Sequence, residues 1–345
     1  MNAAIPLMLE QRRSGYEVMV LAKPGEEAAR LRAAGVEVEL LPDAARVSLV
    51  ARRVRELSRQ AEVDVVHAHT VGVLVPALVF RFRRPALVAT AHSLFRMREF
   101  LVLAADVVVA VSENNRERLA RFRFGRKKVT TIANCVVGAG TCVAYESKSR
   151  RDANLLFVGG LYERKGADVA IRALRILRER GEDPLDLDLD LLGHGPERER
   201  LVALASSLGL ANNVHFHGFV ADPGGYYDHA SALIHPPRDE PFGLVVAEAQ
   251  MHGVPVIATR VGGLPELLGN GRYGSLVPPD DPDALARQIG RVLASDAAAS
   301  EAAARSAAGA KRWSPEAAFL AHDRLYRSVL KRNCRRNSSM KRRRG

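Results

Sequence analysis

Short, almost unbroken runs of valine, isoleucine and leucine alternate with Ala/Leu/Arg segments of helical period, and this alternation runs through the chain twice. In the front half, residues 17–22, 36–41, 63–67, 87–90, 107–111 and 129–132 read as strands. Residues 26–34, ended by Gly35, and 49–60 read as helices, and Ser112 reads as the cap of another. Strands that are apolar on both faces need cover on both faces, which predicts a parallel sheet between helical layers. The pattern breaks over 137–153, where Gly, Ser, Lys and Arg follow no period, and this stretch reads as a linker. It then restarts, with strands at 154–158, 185–192, 214–217, 232–235 and 256–258. Helices are expected at 168–180, 197–208, 244–252 and 283–294. The Ala-rich segment 295–310 reads as either helix or connector, and 315–330 as a closing helix. The expected architecture is α/β, with two Rossmann-like doubly wound domains facing across a cleft. The domains are 1–136 and 154–313, joined by the linker 137–153. Residues 314–330 form a C-terminal helix packing back on the first domain, and 331–345 a basic tail. Ligands of such sheets bind outside the carboxyl ends of the strands.

The formal net charge of +12 is unevenly spread over the 345 residues. Residues 1–150 carry +9, residues 151–330 carry −5, and residues 331–345 carry +8. Basic surfaces attract anionic partners over about a Debye length, ~8 Å at physiological salt. The three cysteines, Cys135, Cys142 and Cys334, are odd in number and lack metal-ligand spacing, so they read as reduced thiols of a cytoplasmic protein. No signal peptide and no apolar run of about 20 residues is present, so membrane contact is expected to be peripheral, at the inner face.

Two segments carry chemistry. In the first, Val158 ends a strand, Gly159 and Gly160 follow, and Arg164, Lys165 and Gly166 lead into a helix. Glycines let backbone approach a ligand, and the cations suit a diphosphate. In the second, Glu240 precedes a helix that begins near Phe242, Gly243 and Leu244, and Glu248 lies inside it. The outward amides of a first helical turn suit phosphate. A carboxylate on an otherwise apolar helix needs a partner, and ribose hydroxyls would supply one.

These segments resemble glycosyltransferase family 4, the retaining transferases of GT-B fold. The spacing of Glu240 and Glu248 matches that family's E-x7-E signature. Lys165-Gly166, Gly193-His194-Gly195-Pro196, His217-Gly218-Phe219, Gly253-Val254-Pro255-Val256 and Gly262-Gly263 fall in the family's order. The likeness is specific over 154–293 and looser over 15–136, where His67-Ala68-His69, Ala91-His92-Ser93 and Asn134 carry it. The resemblance implies that Lys165 binds the donor diphosphate with Gly159, Gly160 and Arg164, and that Glu248 holds the ribose. It also implies that Glu240 binds the sugar, that amides of Phe242, Gly243 and Leu244 touch sugar and phosphate, and that His92 faces the reacting centre. His67 and His69 read as structural. The co-substrate implied is a nucleotide-diphosphate sugar, with no cofactor or metal, and the acceptor a glycan or lipid-linked saccharide of cell-surface polysaccharide or glycolipid synthesis. A metal on the alternating Asp186, Asp188 and Asp190 is disfavoured. One departure stands out: relatives commonly carry arginine where Gly160 stands.

Other readings compete. A catalytically impaired binding protein on a truncated transferase scaffold would fit Gly160 and the front of the chain. Residues 116–128, where Phe122 and Phe124 sit among five Arg and two Lys, could contact an anionic membrane or stack bases; the membrane is the better fit and nucleic acid the weaker. A domain of this type should open with an apolar strand and a glycine loop, whereas residues 3–13 already read as the first helix. The first strand, central in a 3-2-1-4-5 sheet, is therefore expected to be missing. That suggests a misassigned start or a truncated gene, with a poorly active product.

Overall fold

A computed structural model describes residues 4–42, 47–69, 85–92, 105–121, 129–136, 153–181 and 187–342, with side chains in the last helix as far as 332. The elements in chain order begin with α1 (Ile5–Arg13), β1 (Met19–Ala22), α2 (Glu26–Ala33), β2 (Glu37–Leu40) and α3 (Val47–Gln60). Then come β3 (Val65–Ala68), β4 (Ala86–Ala91), β5 (Val107–Ala110), α4 (Glu113–Ala120) and β6 (Val129–Thr131). The pattern restarts with β7 (Asn154–Val158), α5 (Ala167–Glu179), β8 (Asp188–Leu192), α6 (Arg198–Ser207), β9 (Val214–Gly218) and α7 (Gly224–His229). It continues through β10 (Ala232–His235), α8 (Leu244–Met251), β11 (Val256–Thr259), α9 (Leu264–Leu267) and β12 (Ser275–Val277). It ends with α10 (Pro282–Val292), α11 (Asp296–Ala310) and α12 (Pro315–Arg342). The chain forms two compact units: Met1–Val136 with Pro315–Gly345, and Val137–Ser314.

In the first unit all strand pairs are parallel, but the strands fall into two sheets. β1 pairs with β2, and β3, β4, β5 and β6 form a second sheet in that order. Among the described residues β1 and β3 are not paired. β4 and β5 are buried at every position, whereas Val65, Val66 and His67 of β3, at the end of the sheet, are half-buried. Helix α12 covers one face of the larger sheet. Tyr326 packs with Val88 and Val109, and Val329 with Ala86 and Val107. Gln11 of α1 donates to the Tyr326 hydroxyl (3.1 Å), tying α1 to the same helix. Ser112 caps α4 by accepting from the Asn115 amide (3.2 Å). Cys135 is a buried free thiol, and burial pushes its pKa up to about 12. Cys142 lies outside the described residues.

The second unit is one six-stranded parallel sheet, ordered β12-β11-β10-β7-β8-β9. The chain builds outward from β7 through β8 to β9, then crosses back to place β10 on the other side of β7. The strand order thus reverses between β7 and β10, and the carboxyl ends at such a reversal are where open α/β sheets bind ligands. Leu155, Phe157, Leu189 and Leu191 pack against Ile171 and Leu174 of α5 and against Leu285 and Ile289 of α10. Ser295 caps α11 through the Ala298 amide (3.2 Å), and the alanines that follow are strong helix formers, so 295–310 is a helix.

The structure also departs from the reading of the sequence in places. β8 begins at Asp188 rather than 185, and Asp186 lies outside the described residues. Helices α7 and α9 and strand β12 are too short to show a period and were not expected. α12 runs on to Arg342 instead of stopping at 330, because Lys and Arg are good helix formers. Among the described residues no helix is long and apolar enough to cross a membrane.

Candidate active site

The two chemistry-bearing segments follow β7 and β10, the pair of strands at the reversal point. After β7, the Gly159 amide donates to the Leu192 carbonyl (2.9 Å) and the Leu161 amide to the His194 carbonyl (3.0 Å). Leu161 is fully buried and pins the loop to the core. A single 3-10 turn, Glu163–Lys165, then leads to Gly166. Gly166 has a left-handed φ of 71°, and a Cβ there would stand 1.9 Å from the Pro236 carbonyl oxygen. Only glycine permits that approach, which brings the Lys165 turn against the loop that follows β10.

The loop after β10 is held just as firmly. The Arg238 amide donates to the Arg164 carbonyl (2.8 Å), and its guanidinium forks onto Asp168 of α5 with both nitrogens at 3.0 Å. Arg172 adds a third contact to Asp168 (2.6 Å). Burial alone would raise the Asp168 carboxyl, but these arginines outweigh it and hold it low. The Gly263 amide donates to the Glu240 carbonyl (2.9 Å), and a Cβ on Gly262 would meet that oxygen at 1.9 Å. The backbone of Glu240 is therefore clamped from two sides.

Lys165 and Glu240 meet inside this frame: Nζ lies 2.5 Å from Oε2, with side chains only 16% and 10% exposed. Burial pulls the Glu240 carboxyl upward. His235 and the Lys165 charge more than offset it and leave the carboxyl well below the usual range. His235, at the end of β10, is 0% exposed, and its Nε2 lies 3.5 Å from the same Oε2. Among the described residues neither ring nitrogen of His235 has a hydrogen-bond partner.

Beyond Glu240, Phe242 is buried edge-on against Trp313 (centroids 5.5 Å). Gly243, at a φ of 103°, begins α8 with no side-chain cap. The Gly243 carbonyl accepts from the amides of Val246 (3.0 Å) and Ala247 (3.2 Å), the first backbone bonds of this eight-residue helix. Glu248 lies on α8, where its Oε2 accepts from the hydroxyl of Tyr227 (2.9 Å), a fully buried residue of α7. Burial pushes the Glu248 carboxyl upward, and Tyr227 and His252 offset this only in part. The partner that the sequence reading sought for Glu248 is supplied in this way.

The second unit thus brings together Gly159, Gly160, Arg164, Lys165, Glu240, Phe242, Gly243, Leu244 and Glu248 along two neighbouring loops and one helix. Arginine is absent at Gly160, where the Tyr162 ring closes over the backbone: a Cβ would meet it at 2.8 Å. His92 belongs to the first unit, at the end of β4. Its Nε2 lies 3.1 Å from Nδ1 of His69, and the rings stack. His67 bonds Tyr326 (2.7 Å) and Thr90 (2.8 Å). Burial lowers the His92 pKa to about 4 and holds His67 and His69 well below their ordinary value. Tyr227, His235 and Arg238 were not read from the sequence. Tyr227 follows two glycines in a six-residue helix without period, and His235 looks like the end of an apolar strand. Among the described residues, no group of three or more His, Cys, Asp or Glu side chains is placed to hold a metal ion.

Comparison with known proteins bears on this geometry. Residues 5–137 match the family described as "Glycosyltransferase Family 4", and residues 152–295 match "Glycosyl transferases group 1". The chain belongs to glycosyltransferase family 4. The loops after β7 and β10 lie within the second match, and the histidine cluster of β3 and β4 within the first. A D-inositol 3-phosphate glycosyltransferase of Streptomyces avermitilis is 33% identical over 226 residues, covering 60% of this chain and 48% of the relative. A glycogen synthase of Mycobacterium tuberculosis is 29% identical over 265 residues, covering 71% of this chain and 63% of the relative. The chain therefore spans roughly half to two thirds of the length of these curated relatives. Among solved structures, Anabaena HepE in complex with UDP and glucose is similar, with a TM-score of 0.79 at 21% identity, over 94% of this chain and 95% of that one. A glycosyltransferase from Rickettsia africae has a TM-score of 0.76 at 18% identity, over 95% and 94%. These likenesses establish the GT-B fold, with two Rossmann-like parallel-sheet domains.

Proposed function

We propose that this family 4 protein moves a sugar from a nucleotide-diphosphate donor to an acceptor hydroxyl, with retention of configuration. The observation that carries the reading is the buried Lys165–Glu240 pair at the reversal point of the second sheet, beside the uncapped start of α8. Breaking a sugar–diphosphate bond builds negative charge on the leaving phosphate. A fixed lysine and helix-start amides stabilise that charge more in the transition state than in the ground state. In this reading Lys165 and the amides of the Gly159–Gly160 loop and of Phe242, Gly243 and Leu244 take the diphosphate, with Arg164 nearby. Glu240 accepts from hydroxyls of the sugar, and Glu248, oriented by Tyr227, from those of the ribose. His92 is proposed to contact the sugar, and its low pKa keeps the imidazole neutral at physiological pH. The acceptor is proposed to be a glycan or lipid-linked saccharide of cell-surface polysaccharide or glycolipid synthesis. Reaction at the inner face of an anionic membrane would fit the basic front of the chain.

HepE binds UDP-glucose, so UDP-sugars are the first donors to try. A thermal-shift and hydrolysis panel of UDP-, GDP- and ADP-sugars tests the proposal. One nucleotide sugar is expected to raise the melting temperature more than its free sugar does, and to be hydrolysed or transferred. A panel with no stabilisation and no turnover would count against it.

A further inference from the structure

His235 is a buried polar side chain that the proposed chemistry leaves unused. It stands at the carboxyl end of β10, paired in register with Ala258 of β11, and among the described residues both ring nitrogens lack a hydrogen-bond partner. Buried polar atoms without partners are rare and costly. An apolar side chain would fill this place at the end of a buried strand without that cost. The ring cannot drift to find a partner: Gly166 packs on the Pro236 carbonyl, and Thr259 donates to the Pro237 carbonyl (2.6 Å), so the backbone just beyond it is fixed. One atom is nevertheless within near reach. Glu240 Oε2 lies 3.5 Å from His235 Nε2, and that oxygen is already held by Lys165 at 2.5 Å.

The lysine and the carboxylate cannot both stay as they are when a donor binds. A diphosphate draws Lys165 Nζ toward its own oxygens, which leaves Glu240 buried with its strongest partner turned away. A buried carboxylate in that state needs another donor. The charged groups around His235 are Lys165, Arg164 and Glu240; burial and the two cations keep the ring neutral, while Glu240 pulls the other way. A neutral imidazole can carry its proton on Nε2. We propose that His235 is a positioning residue for Glu240: it donates from Nε2 to Oε2 as Lys165 turns to the diphosphate, and so keeps the carboxylate aimed at the sugar. The proposal rests on the donor-site reading of Lys165 and Glu240 given above.

The reading makes the sugar's share of binding the quantity to measure. Titration calorimetry gives the affinity of UDP-glucose over UDP, and of GDP-mannose over GDP, for whichever pair the wild-type protein binds. His235→Phe is expected to reduce the sugar increment about tenfold while leaving nucleoside diphosphate affinity within about twofold. His235→Gln, which places an amide donor near Nε2, is expected to restore most of it. A His235→Phe protein that keeps the increment while Glu240→Ala loses it overturns the role of His235 and leaves the donor site standing. Equal loss of sugar and nucleoside diphosphate binding in both His235 variants makes the residue a packing element and overturns the proposal. A wild type that binds neither pair, or a Glu240→Ala protein that keeps the increment, removes the donor-site reading itself. One measurement needs no variant. In ¹⁵N-histidine-labelled wild type, the His235 Nε2–H signal is expected to move downfield on addition of the nucleotide sugar. A His235 signal that stays in place at saturation overturns the proposal even if neither variant folds.

Discussion

At the residue scale, the site turns on two carboxylates that burial treats differently. Glu240 is held ionised by Lys165 and His235, whereas Glu248 is pushed upward by burial, which the Tyr227 hydroxyl and His252 offset only in part. Glu248 therefore gains most from hydroxyl donors delivered by a ligand. Glu248→Ala is expected to weaken nucleotide binding at least tenfold, the loss of a charged acceptor worth about 1.5–3 kcal/mol. Tyr227→Phe, which removes only the orienting bond, should cost less, about two- to fivefold. Lys165→Ala should lower kcat more than it raises KM, because phosphate charge grows toward the transition state. Calorimetry and steady-state kinetics on the three variants check the set, and unchanged nucleotide affinity in Glu248→Ala would remove that residue from the ribose site.

At the element scale, α8 is the piece on which the proposed donor site depends. It carries Glu248 on one side, while Gln250, fully buried, ties its end to the rest of the unit. Trp313 donates to Gln250 Oε1 (2.6 Å), and Gln250 donates to the Tyr273 carbonyl (3.2 Å). Arg312 lies over both the Trp313 and Tyr273 rings and donates to the Leu267 and Glu266 carbonyls at the end of α9. Trp313 in turn packs on Phe242, so the loop before α8 and the helix itself share one support. Helix α4 is the element behind the proposed membrane contact, and the structure narrows its part. Arg116 is paired with Glu113, with Nε at 2.7 Å from Oε1, which reduces its part in the proposed attraction. Residues 122–128 lie outside the described residues. Binding to anionic vesicles is expected to weaken as salt rises, and to fall at least tenfold when residues 331–344 are removed, since each surface cation contributes about 1 kcal/mol. Cosedimentation with neutral and anionic vesicles at low salt measures it; equal partitioning to both would rule the contact out.

At the scale of the whole molecule, the two units carry different liabilities. The first holds His67, His69, His92 and His322 together, all with pKa values lowered chiefly by burial. A histidine whose folded pKa lies below its unfolded value stays neutral in the folded state while the unfolded chain takes up protons. Their contribution is therefore complete above about pH 6.5 and is lost as pH falls below it, toward about 4 for His92 and in the same direction for His67, His69 and His322. The slope is at most about 1.4 kcal/mol per pH unit for each. Hydrogen exchange between pH 7 and 5, corrected for intrinsic rates, is expected to show β4 and β5 losing protection. Protection that stays flat over that window would mean these rings are already solvated or charged in the folded protein.

What the sequence determined by itself is what neighbours within a few residues decide. The apolar runs marked the strands, so 154–158 and 232–235 agree with β7 and β10 to the residue. Glycines and helix starts marked the loops that carry Lys165 and Glu240, and the spacing of Glu240 and Glu248 pointed to family 4. Only the tertiary structure decided which side chains meet. Lys165 and Glu240 are 75 residues apart, and they touch because β10 returns to lie beside β7. Tyr227 finds Glu248 from a six-residue helix too short to show a period, and His235 looks like one more residue of an apolar strand until the loop after it folds Glu240 back over the ring. Periodicity reports which face of an element is buried; it carries no record of what that face is buried against, because that depends on sheet order set by strands far away in the chain.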